Sequence, residues 1–283
     1  MRIGLVGIDS SHSEDFLRLV NSEQRYPGHR ITALCGDDPA RLAALAGTSG
    51  LSTAADPSDL IGSIDAAIIG DRHGALHLPH ALPFIEAGMP AFIDKPFTCS
   101  LADAEALLAA AARSGSLVAS ASAVRWQPDT TALEQEVERL GGLLEVTTTG
   151  PFDPSSDYGG SFFYGIHAVE LALQLAGAGI ENIRVDVDGA AVVSALCVVG
   201  RVAITTRLIR PAVDEEVPFA AEVVCLNGTA QRTIRLDADY MSPVLDRFIG
   251  MLETGKAPMS DAELLAPVRL MAAIEEAART SAP

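Results

Sequence analysis

The chain has 283 residues, of which 48% are hydrophobic and 20% are charged, so it can bury one large core or two of ordinary size. This composition excludes disordered and fibrous proteins. Asp and Glu number 37 against 20 for Lys and Arg, which gives a formal net charge of −17. Because this charge repels phosphate backbones and anionic lipid headgroups, we expect neither a nucleic-acid nor a membrane partner.

Targeting and redox features of the sequence favour a cytoplasmic protein. Its apolar runs fall short of the roughly 18 residues of a membrane span, and the first residues lack the features of a signal peptide. The cysteines have no C-x-x-C spacing and are scattered, at Cys35, Cys99, Cys197 and Cys225. This pattern argues against a disulfide framework and a zinc site, so we expect a reducing cytoplasm and no bound metal.

The first 120 residues alternate short apolar runs with segments of helical periodicity. Strands are predicted at residues 3–6, 31–35, 66–69, 91–93 and 117–119. A helix is predicted at residues 100–113. Strands that alternate with helices form βαβ units, so this part is predicted to be a Rossmann-type, doubly wound parallel sheet in an α/β fold.

The pattern changes after about residue 125. Helices are predicted at residues 162–176, 243–253 and 261–279, and strands at 183–187, 191–199, 202–209, 221–226 and 229–236. Asp188-Gly189 and Asn227-Gly228 are typical of tight hairpins, so these strands are expected to pair as an antiparallel meander. We therefore predict two domains, residues 1–124 and 125–283, the second an α/β domain with a largely antiparallel open sheet.

The turn after the first strand resembles a dinucleotide-binding fingerprint only in part. Gly7 fills the first place of G-x-G-x-x-G, but Asp9 and His12 fill the second and third. Ser11 and Glu14 match a capping box, which predicts a helix that starts at Ser11 and offers free N–H groups to an anion. The alternative is an ordinary capped helix that faces solvent. The acid that usually binds ribose is also displaced by one residue, to Asp37.

Asp94-Lys95-Pro96, followed by a helical segment, carries a family likeness. It resembles the Glu-Lys-Pro segment of the glucose-fructose oxidoreductase and inositol dehydrogenase family, Gfo/Idh/MocA. Three other segments, residues 65–88, 164–177 and 251–258, are similar to parts of the same family in the same order. The resemblance therefore covers most of the chain.

The resemblance implies an N-terminal domain that binds NAD or NADP, and hydride transfer to or from a sugar or polyol carbon. It also implies a homodimer or larger homo-oligomer that pairs through the C-terminal sheet. The cofactor-binding residues implied lie in the glycine turn, at the strand ends and in the Asp-Lys-Pro segment: Gly7, Asp9, Ser10, Ser11, His12, Asp37, Asp71, Asp94, Lys95 and Pro96.

The sequence departs from the family at its active-site pattern, D-x-G-x-H-x-x-D. The histidine is kept as His167, whereas Phe163 replaces the first acid and Glu170 the last. These departures, with those at the glycine turn, leave a second hypothesis open. The chain would then be a non-catalytic binding or regulatory protein that keeps the fold and has lost the cofactor.

Two side chains suit the proton transfer that accompanies alcohol oxidation. Lys95 is one of only two lysines and follows a buried strand, and His167 lies on a helix with Glu170 and Gln174 at i+3 and i+7. We expect Lys95 and His167 to converge on one substrate hydroxyl, with Tyr164 or Glu170 assisting. The polar stripe of this helix is expected to face solvent, a partner or a cleft. The alternatives are a structural ion pair for Lys95 and a stripe that faces water.

Three further sequence features have both structural and functional interpretations. Arg125 could bind an anionic group of the substrate or form an interdomain ion pair. His73, His77 and His80 lie close together but lack acidic or cysteine ligands at helical spacing beside them, so a metal site is not expected, and His77 and His80 are predicted to cover a helix start. The Lys95-Pro96 peptide bond could be cis.

Overall fold

The computed structural model describes residues 1–47, 50–188 and 191–280, whose contacts fall into two compact units. The first unit comprises residues 1–98, 102–121 and 241–260, and the second comprises 99–101, 122–240 and the residues from 261 onward. The chain therefore returns to the first unit after completing most of the second. The predicted two domains, residues 1–124 and 125–283, do not include this return. Their assignment to cofactor binding and substrate binding stays a prediction.

The first unit contains a six-stranded sheet whose strands are all parallel. Its strands are β1 (Arg2–Val6), β2 (Arg30–Cys35), β3 (Ser52–Ala54), β4 (Ala66–Ile69), β5 (Ala91–Ile93) and β6 (Val118–Ala119), in the order β3-β2-β1-β4-β5-β6. Every residue of β4 and β5 is buried, because a doubly wound sheet is covered on both faces. The predicted Rossmann-type fold is confirmed.

Eight α-helices occur in the described residues: α1 (His12–Leu17), α2 (Pro39–Gly47), α3 (His77–Glu86), α4 (Leu101–Ser114), α5 (Pro128–Leu140), α6 (Phe162–Ala176), α7 (Ser242–Thr254) and α8 (Asp261–Thr280). The predicted bounds of α6 are those observed. α1 has only six residues and continues into a π-helical turn at Arg18–Ser22.

The second unit contains a mostly antiparallel six-stranded sheet, as predicted. Its strands are β7 (Leu143–Pro151), β8 (Ile180–Asp188), β9 (Val192–Val199), β10 (Val202–Ile209), β11 (Ala220–Cys225) and β12 (Gly228–Thr233), in the order β12-β11-β7-β10-β9-β8. The predicted continuous meander is wrong, because β7 lies between β10 and β11 and pairs with β10 in parallel. The sequence prediction missed β7, whose centre is a run of three threonines.

The two predicted hairpins have different outcomes. β11 and β12 form the expected hairpin, but its loop is one residue earlier than predicted: Cys225 pairs with Gly228, so the loop residues are Leu226 and Asn227 rather than Asn227 and Gly228. The predicted loop at Asp188-Gly189 includes Gly189, which lies outside the described residues.

Helix α6 packs on the second sheet and against α8. Eleven of its 15 residues are buried, namely Phe162, Phe163 and the nine residues from Gly165 to Leu173. At Gly165 an added Cβ would lie 3.0 Å from Leu208 Cδ1 and from Met271 Cε, so glycine permits this close approach. The helix that carries His167 is thus fixed from both sides within its own unit.

Candidate functional site

The turn after β1 requires glycine at its first place. Gly7 has φ +76°, and an added Cβ would lie 2.4 Å from the backbone nitrogen and from Cγ of Asp71. The backbone N–H of Gly7 donates to the carbonyl of Cys35 at 2.9 Å, and that of Gly70 donates to the carbonyl of Val6 at 2.6 Å. The ends of β1, β2 and β4 are therefore drawn close together, and only a residue without a side chain fits between them.

The predicted capping box at Ser11 is wrong. α1 begins at His12, and the Ser11 side chain makes no capping hydrogen bond because Ser11 itself already has helical backbone angles. Instead, Ser10 Oγ accepts from the backbone N–H of His12 at 3.2 Å. The Glu14 carboxylate accepts from the Arg41 guanidinium at 2.8 and 2.9 Å rather than turning back to the helix start.

A cavity of about 320 Å³ opens at the carboxyl ends of β1, β2 and β4. Its lining brings together several predicted cofactor residues with others that were not predicted: Gly7, Ile8, Asp9, Gly36, Asp37, Asp38, Arg41, Asp71, Leu76 and His80. Asp9 accepts from the backbone N–H of Arg72 at 3.0 Å, and Asp38 accepts from that of Ala40 at 2.9 Å. The cavity wall is thus rich in carboxylates.

Arg41 is a site residue that the sequence analysis missed. Its guanidinium lines the cavity, donates to the carbonyls of Ile8 and Ser10, and binds Glu14. These bonds tie the start of α2 to the turn after β1. The signal available in the sequence was an arginine one helical turn beyond the displaced ribose acid.

His12 and Asp94 form a buried pair at the same edge of the sheet. His12 Nδ1 lies 2.6 Å from Asp94 Oδ2, and the exposed fractions of the two side chains are 12% and 3%. Burial alone raises the pKa of the Asp94 carboxyl, but the charge and hydrogen bond of His12 and the charge of Lys95 outweigh it, and the pKa is lowered to about 2. Asp94 is therefore ionised. Lys95 is buried, and the Lys95-Pro96 bond is cis, as anticipated.

The neighbouring histidines hold loops together. His77 is fully buried, and its ring nitrogens lie 2.9 Å from the Asp71 carbonyl and 2.8 Å from the Pro96 carbonyl. His80 Nδ1 lies 2.8 Å from Asp71 Oδ2, a hydrogen bond that raises the pKa of His80. His73 Nδ1 accepts from a backbone N–H. The described part of the chain contains no cluster of three side chains suited to a metal ion.

In the second unit, the His167 and Glu170 side chains of the polar stripe are buried, so the alternative of a stripe that faces water is wrong, and a stripe that faces a cleft or a partner stays a prediction. His167 Nδ1 lies 2.5 Å from Ser122 Oγ, and Glu170 Oε2 accepts from the backbone N–H of Ser122 at 2.8 Å. Arg125 Nε donates to Glu170 Oε2 at 2.9 Å, and Arg125 Nη1 donates to Gln174 at 3.0 Å. The Arg125 ion pair is buried within one unit, so it is not the interdomain pair considered above.

A larger cavity of the second unit, about 890 Å³, adjoins this stripe. It is lined by Pro151, Phe152, Asp153, Tyr164, Arg210, Pro211, Ala212, Val213, Glu215, Glu216, Val217 and Phe219. The Phe219 ring centroid lies 5.0 Å from that of His167, so one aromatic ring borders both the cavity and the histidine. Tyr164 is 42% exposed, whereas Phe163 is buried between Tyr158 and Tyr164. The sequence analysis singled out Tyr164 but missed the loop from β10 to β11.

A family model matches the N-terminal part of the chain. Residues 1–122 match the GFO_IDH_MocA model, described as an oxidoreductase family with an NAD-binding Rossmann fold. "Inositol 2-dehydrogenase 3" of Saccharopolyspora erythraea is 33% identical over 107 residues, which are 36% of this chain. The match spans 30% of that relative's own length.

Solved structures resemble the chain over almost its full length. GenD2 from gentamicin A biosynthesis, solved in complex with NAD, superposes with a TM-score of 0.83 at 17% identity and covers 100% of this chain and 95% of its own. The apo scyllo-inositol dehydrogenase of Lactobacillus casei gives a TM-score of 0.83 at 15% identity, over 98% and 95% of the two chains. At these identities the likeness establishes the fold. None of the helices in the described ranges combines the length and apolar character needed to cross a bilayer.

Proposed function

Residues 1–122 belong to the Gfo/Idh/MocA family of NAD-binding oxidoreductases, and on this premise we propose that the chain transfers a hydride between NAD and a sugar, polyol or related hydroxy compound. The observation that carries the proposal is the carboxyl edge of the first sheet. There the close approach at Gly7, the cavity beside it and the buried Lys95 lie at the ends of neighbouring strands. Ligands of open α/β sheets bind at this edge.

We propose that the cavity of the first unit holds the adenosine end of NAD in preference to NADP. Asp37 lines the cavity two residues beyond the end of β2, where a carboxylate can accept from the ribose hydroxyls. The cavity also holds Asp9, Asp38 and Asp71, so the added phosphate of NADP would meet several negative charges. Arg41 is already engaged by Glu14 and two carbonyls, which weakens it as a phosphate ligand.

When bound, the nicotinamide ring accepts or returns the hydride, and the chain supplies the proton transfer. We propose that Lys95 takes the proton of the substrate hydroxyl and that His167 orients this hydroxyl or acts as the base. Ser122 fixes the His167 ring through Nδ1. Of the two assisting candidates Tyr164 fits better, because it borders the large cavity while Glu170 is engaged by Arg125. A role for Arg125 in substrate binding stays a prediction, although its ion pair already occupies the guanidinium.

The cavity of the second unit supports a hydroxylated substrate. Phe152, Tyr164 and Phe219 offer aromatic rings that can pack on the C–H faces of a sugar or cyclitol, and Asp153 and Arg210 offer hydrogen-bonding groups for its hydroxyls. We also propose a cytoplasmic homo-oligomer that pairs through the outward face of the second sheet. Size-exclusion chromatography with light scattering tests the oligomeric state, and a monomer at micromolar concentration contradicts this part.

Titration of the protein with NADH, monitored by calorimetry, tests the function directly. We expect NADH to bind more tightly than NADPH, and Asp37→Ser to reduce this preference about tenfold, the effect of roughly 1.4 kcal/mol. A folded protein that binds neither nucleotide at millimolar concentration would contradict the proposal. That result would favour a non-catalytic binding or regulatory protein, the hypothesis that the carboxylate of Asp9 at the glycine turn supports.

A further inference from the structure

The His12–Asp94 contact lies across the point where the strand order of the first sheet reverses. His12 is the first residue of α1, just beyond the end of β1, and Asp94 directly follows β5. β4 lies between these two strands in the sheet. The chain runs outward from β1 to β3 on one side and continues from β4 to β6 on the other, so the 2.6 Å contact spans the crevice where such sheets bind ligands.

Asp94 fixes which nitrogen of His12 can exchange a proton. The Asp94 carboxylate is ionised and therefore only accepts hydrogen bonds. His12 Nδ1 must then carry the hydrogen that points to Asp94 Oδ2, which leaves Nε2 as the atom that gains or loses a proton. A carboxylate that holds an imidazole in one tautomer is the usual support of a histidine that transfers protons.

Fold stability alone does not account for this pair. Replacing a buried ion pair by a well-packed apolar pair of similar volume is often neutral or stabilising, so the core does not require charged groups at this place. Helix capping does not account for it either, because Ser10 Oγ accepts from the His12 backbone N–H. The His12 ring also meets Phe16 edge to face, with centroids 6.4 Å apart, which gives the ring a second fixed contact.

Access to solvent also points to proton transfer. Asp94 and Lys95 are buried, whereas His12 is partly exposed. The imidazole is thus the most accessible of the three groups, and it stands next to the carboxylate that adjoins Lys95 in the chain. A proton that arrives at Lys95 needs an outlet of this kind before the next turnover.

We propose that His12 is a proton-relay residue that acts through Lys95 and passes protons between Lys95 and solvent, an inference that rests on the proposed function. In alcohol oxidation the substrate C–H bond breaks and its electron pair leaves as a hydride to the bound NAD⁺. The O–H bond breaks, its proton goes to the Lys95 amine, and the carbonyl forms. The Lys95 ammonium then gives this proton to His12 Nε2, which releases it to water. Carbonyl reduction uses the same steps in reverse.

Chemical rescue by imidazole tests the relay. His12→Ala removes the ring, whereas His12→Gln keeps a donor for Asp94 but cannot relay a proton. With NAD⁺ and myo-inositol, scyllo-inositol or glucose, we expect both variants to lose about 10²-fold in turnover, the lower range of acid–base effects. Added imidazole should restore a substantial part of the turnover of His12→Ala. NADH affinity is measured in parallel and turnover is compared at saturating NAD⁺, because His12 also belongs to the implied cofactor-binding turn.

The matched control is His29→Ala, a half-buried histidine of the same unit that lies away from the carboxyl ends of the strands. We expect it to have wild-type turnover and no response to imidazole. Wild-type turnover in His12→Gln overturns the relay. A loss of turnover in His12→Ala that added imidazole does not restore also overturns it if His12→Gln keeps its turnover. A wild-type protein that binds no NADH overturns both the relay and the proposed function. A wild-type protein that turns over substrate with unaffected His12 variants overturns the relay alone.

Discussion

The two units each place a histidine beside a carboxylate, but they build the surroundings in opposite ways. In the first unit, His12 and Asp94 follow the ends of separate parallel strands, and the turn after β1 lines a cavity. In the second unit, His167 and Glu170 lie on one helix and are closed over by Ser122 and Arg125. The comparison indicates that the sheet edge is built to receive a ligand, whereas the helix stripe is built to hold a side chain in one orientation.

Replacing Lys95 should have the largest effect, and it tests whether the sheet edge performs the chemistry. Lys95→Met should lower turnover at saturating cofactor by about 10²- to 10⁴-fold, because the variant loses an acid–base group, while the protein stays folded. The matched control is Lys256→Met, which changes the exposed second lysine and should leave turnover unchanged. If His167→Ala costs far more than Lys95→Met in steady-state assays, the second unit is the principal source of the proton transfer.

Breaking the buried ion pair of the second unit should have the next largest effect. Arg125→Met leaves the Glu170 carboxylate buried without its partner guanidinium, which should lower the free energy of unfolding by about 3 to 5 kcal/mol. Urea unfolding measures this change. Arg139→Met, which removes a 67% exposed partner of Glu136, should cost less than about 1 kcal/mol.

A second substitution sharpens this test. In the Arg125→Met/Glu170→Leu double variant no charge is left uncompensated, so much of the lost stability should return. A single variant as stable as the wild type would show that the stripe is solvated, contrary to the burial described above.

The turn at Gly7 should show a smaller effect on stability and a specific effect on cofactor binding. Gly7→Ala combines a positive φ with a collision against Asp71, and we expect a loss of about 1 to 3 kcal/mol in stability and weaker NADH binding. Gly28→Ala is the matched control, because it has φ +86° and no atom within 4 Å of an added Cβ. Equal NADH affinity in the two variants would mean that the close approach to Asp71 does not shape the cofactor site.

Acid should destabilise the protein through Asp94 by the smallest of these amounts. Its pKa is lowered from 3.8 to about 2 in the folded protein, so its contribution is complete above about pH 4 and is lost as the pH falls through 2. The shift corresponds to about 2 kcal/mol. Urea unfolding at pH 6 and at pH 3 should show that the stability gap between wild type and Asp94→Asn narrows on acidification. If the stability difference between wild type and Asp94→Asn is the same at both pH values, the contribution of Asp94 does not depend on its ionisation.

The elements that could be predicted from the sequence are those with uniformly buried, apolar residues. The elements that were missed mix polar and apolar residues. Five of the six strands in the first sheet are short apolar runs, so their existence and parallel pairing could be inferred, whereas the short edge strand β3 has no buried residue and was not predicted. β7 carries threonines at 147 to 149, one of them on the inward face, and the apolar alternation that marks a strand is obscured there. Missing β7 led directly to the wrong meander, because its place between β10 and β11 is a long-range pairing.

The site residues followed a similar rule. Residues at strand ends could be placed together because parallel strands end at a common edge, and Gly7, Asp9, Asp37 and Asp71 do share one cavity. The bond from His12 to Asp94 was not foreseen, because 82 residues separate them and only the fold brings them together. Spacing on α6 gave the correct face of the helix but not what covers it, which depends on the segment from Ser122 to Arg125.

The return of α7 to the first unit determines when that unit is complete during synthesis. Phe92 of β5 meets Phe248 of α7 with ring centroids 5.8 Å apart, and the Tyr26 hydroxyl lies 3.0 Å from the Asp246 carboxylate. Both contacts can form only after residues 246 and 248 have left the ribosome, and these residues are synthesised after the whole second sheet. A fragment that ends near residue 121 would therefore contain all six parallel strands and still expose Phe92. The first unit is thus not encoded by one continuous segment of the chain.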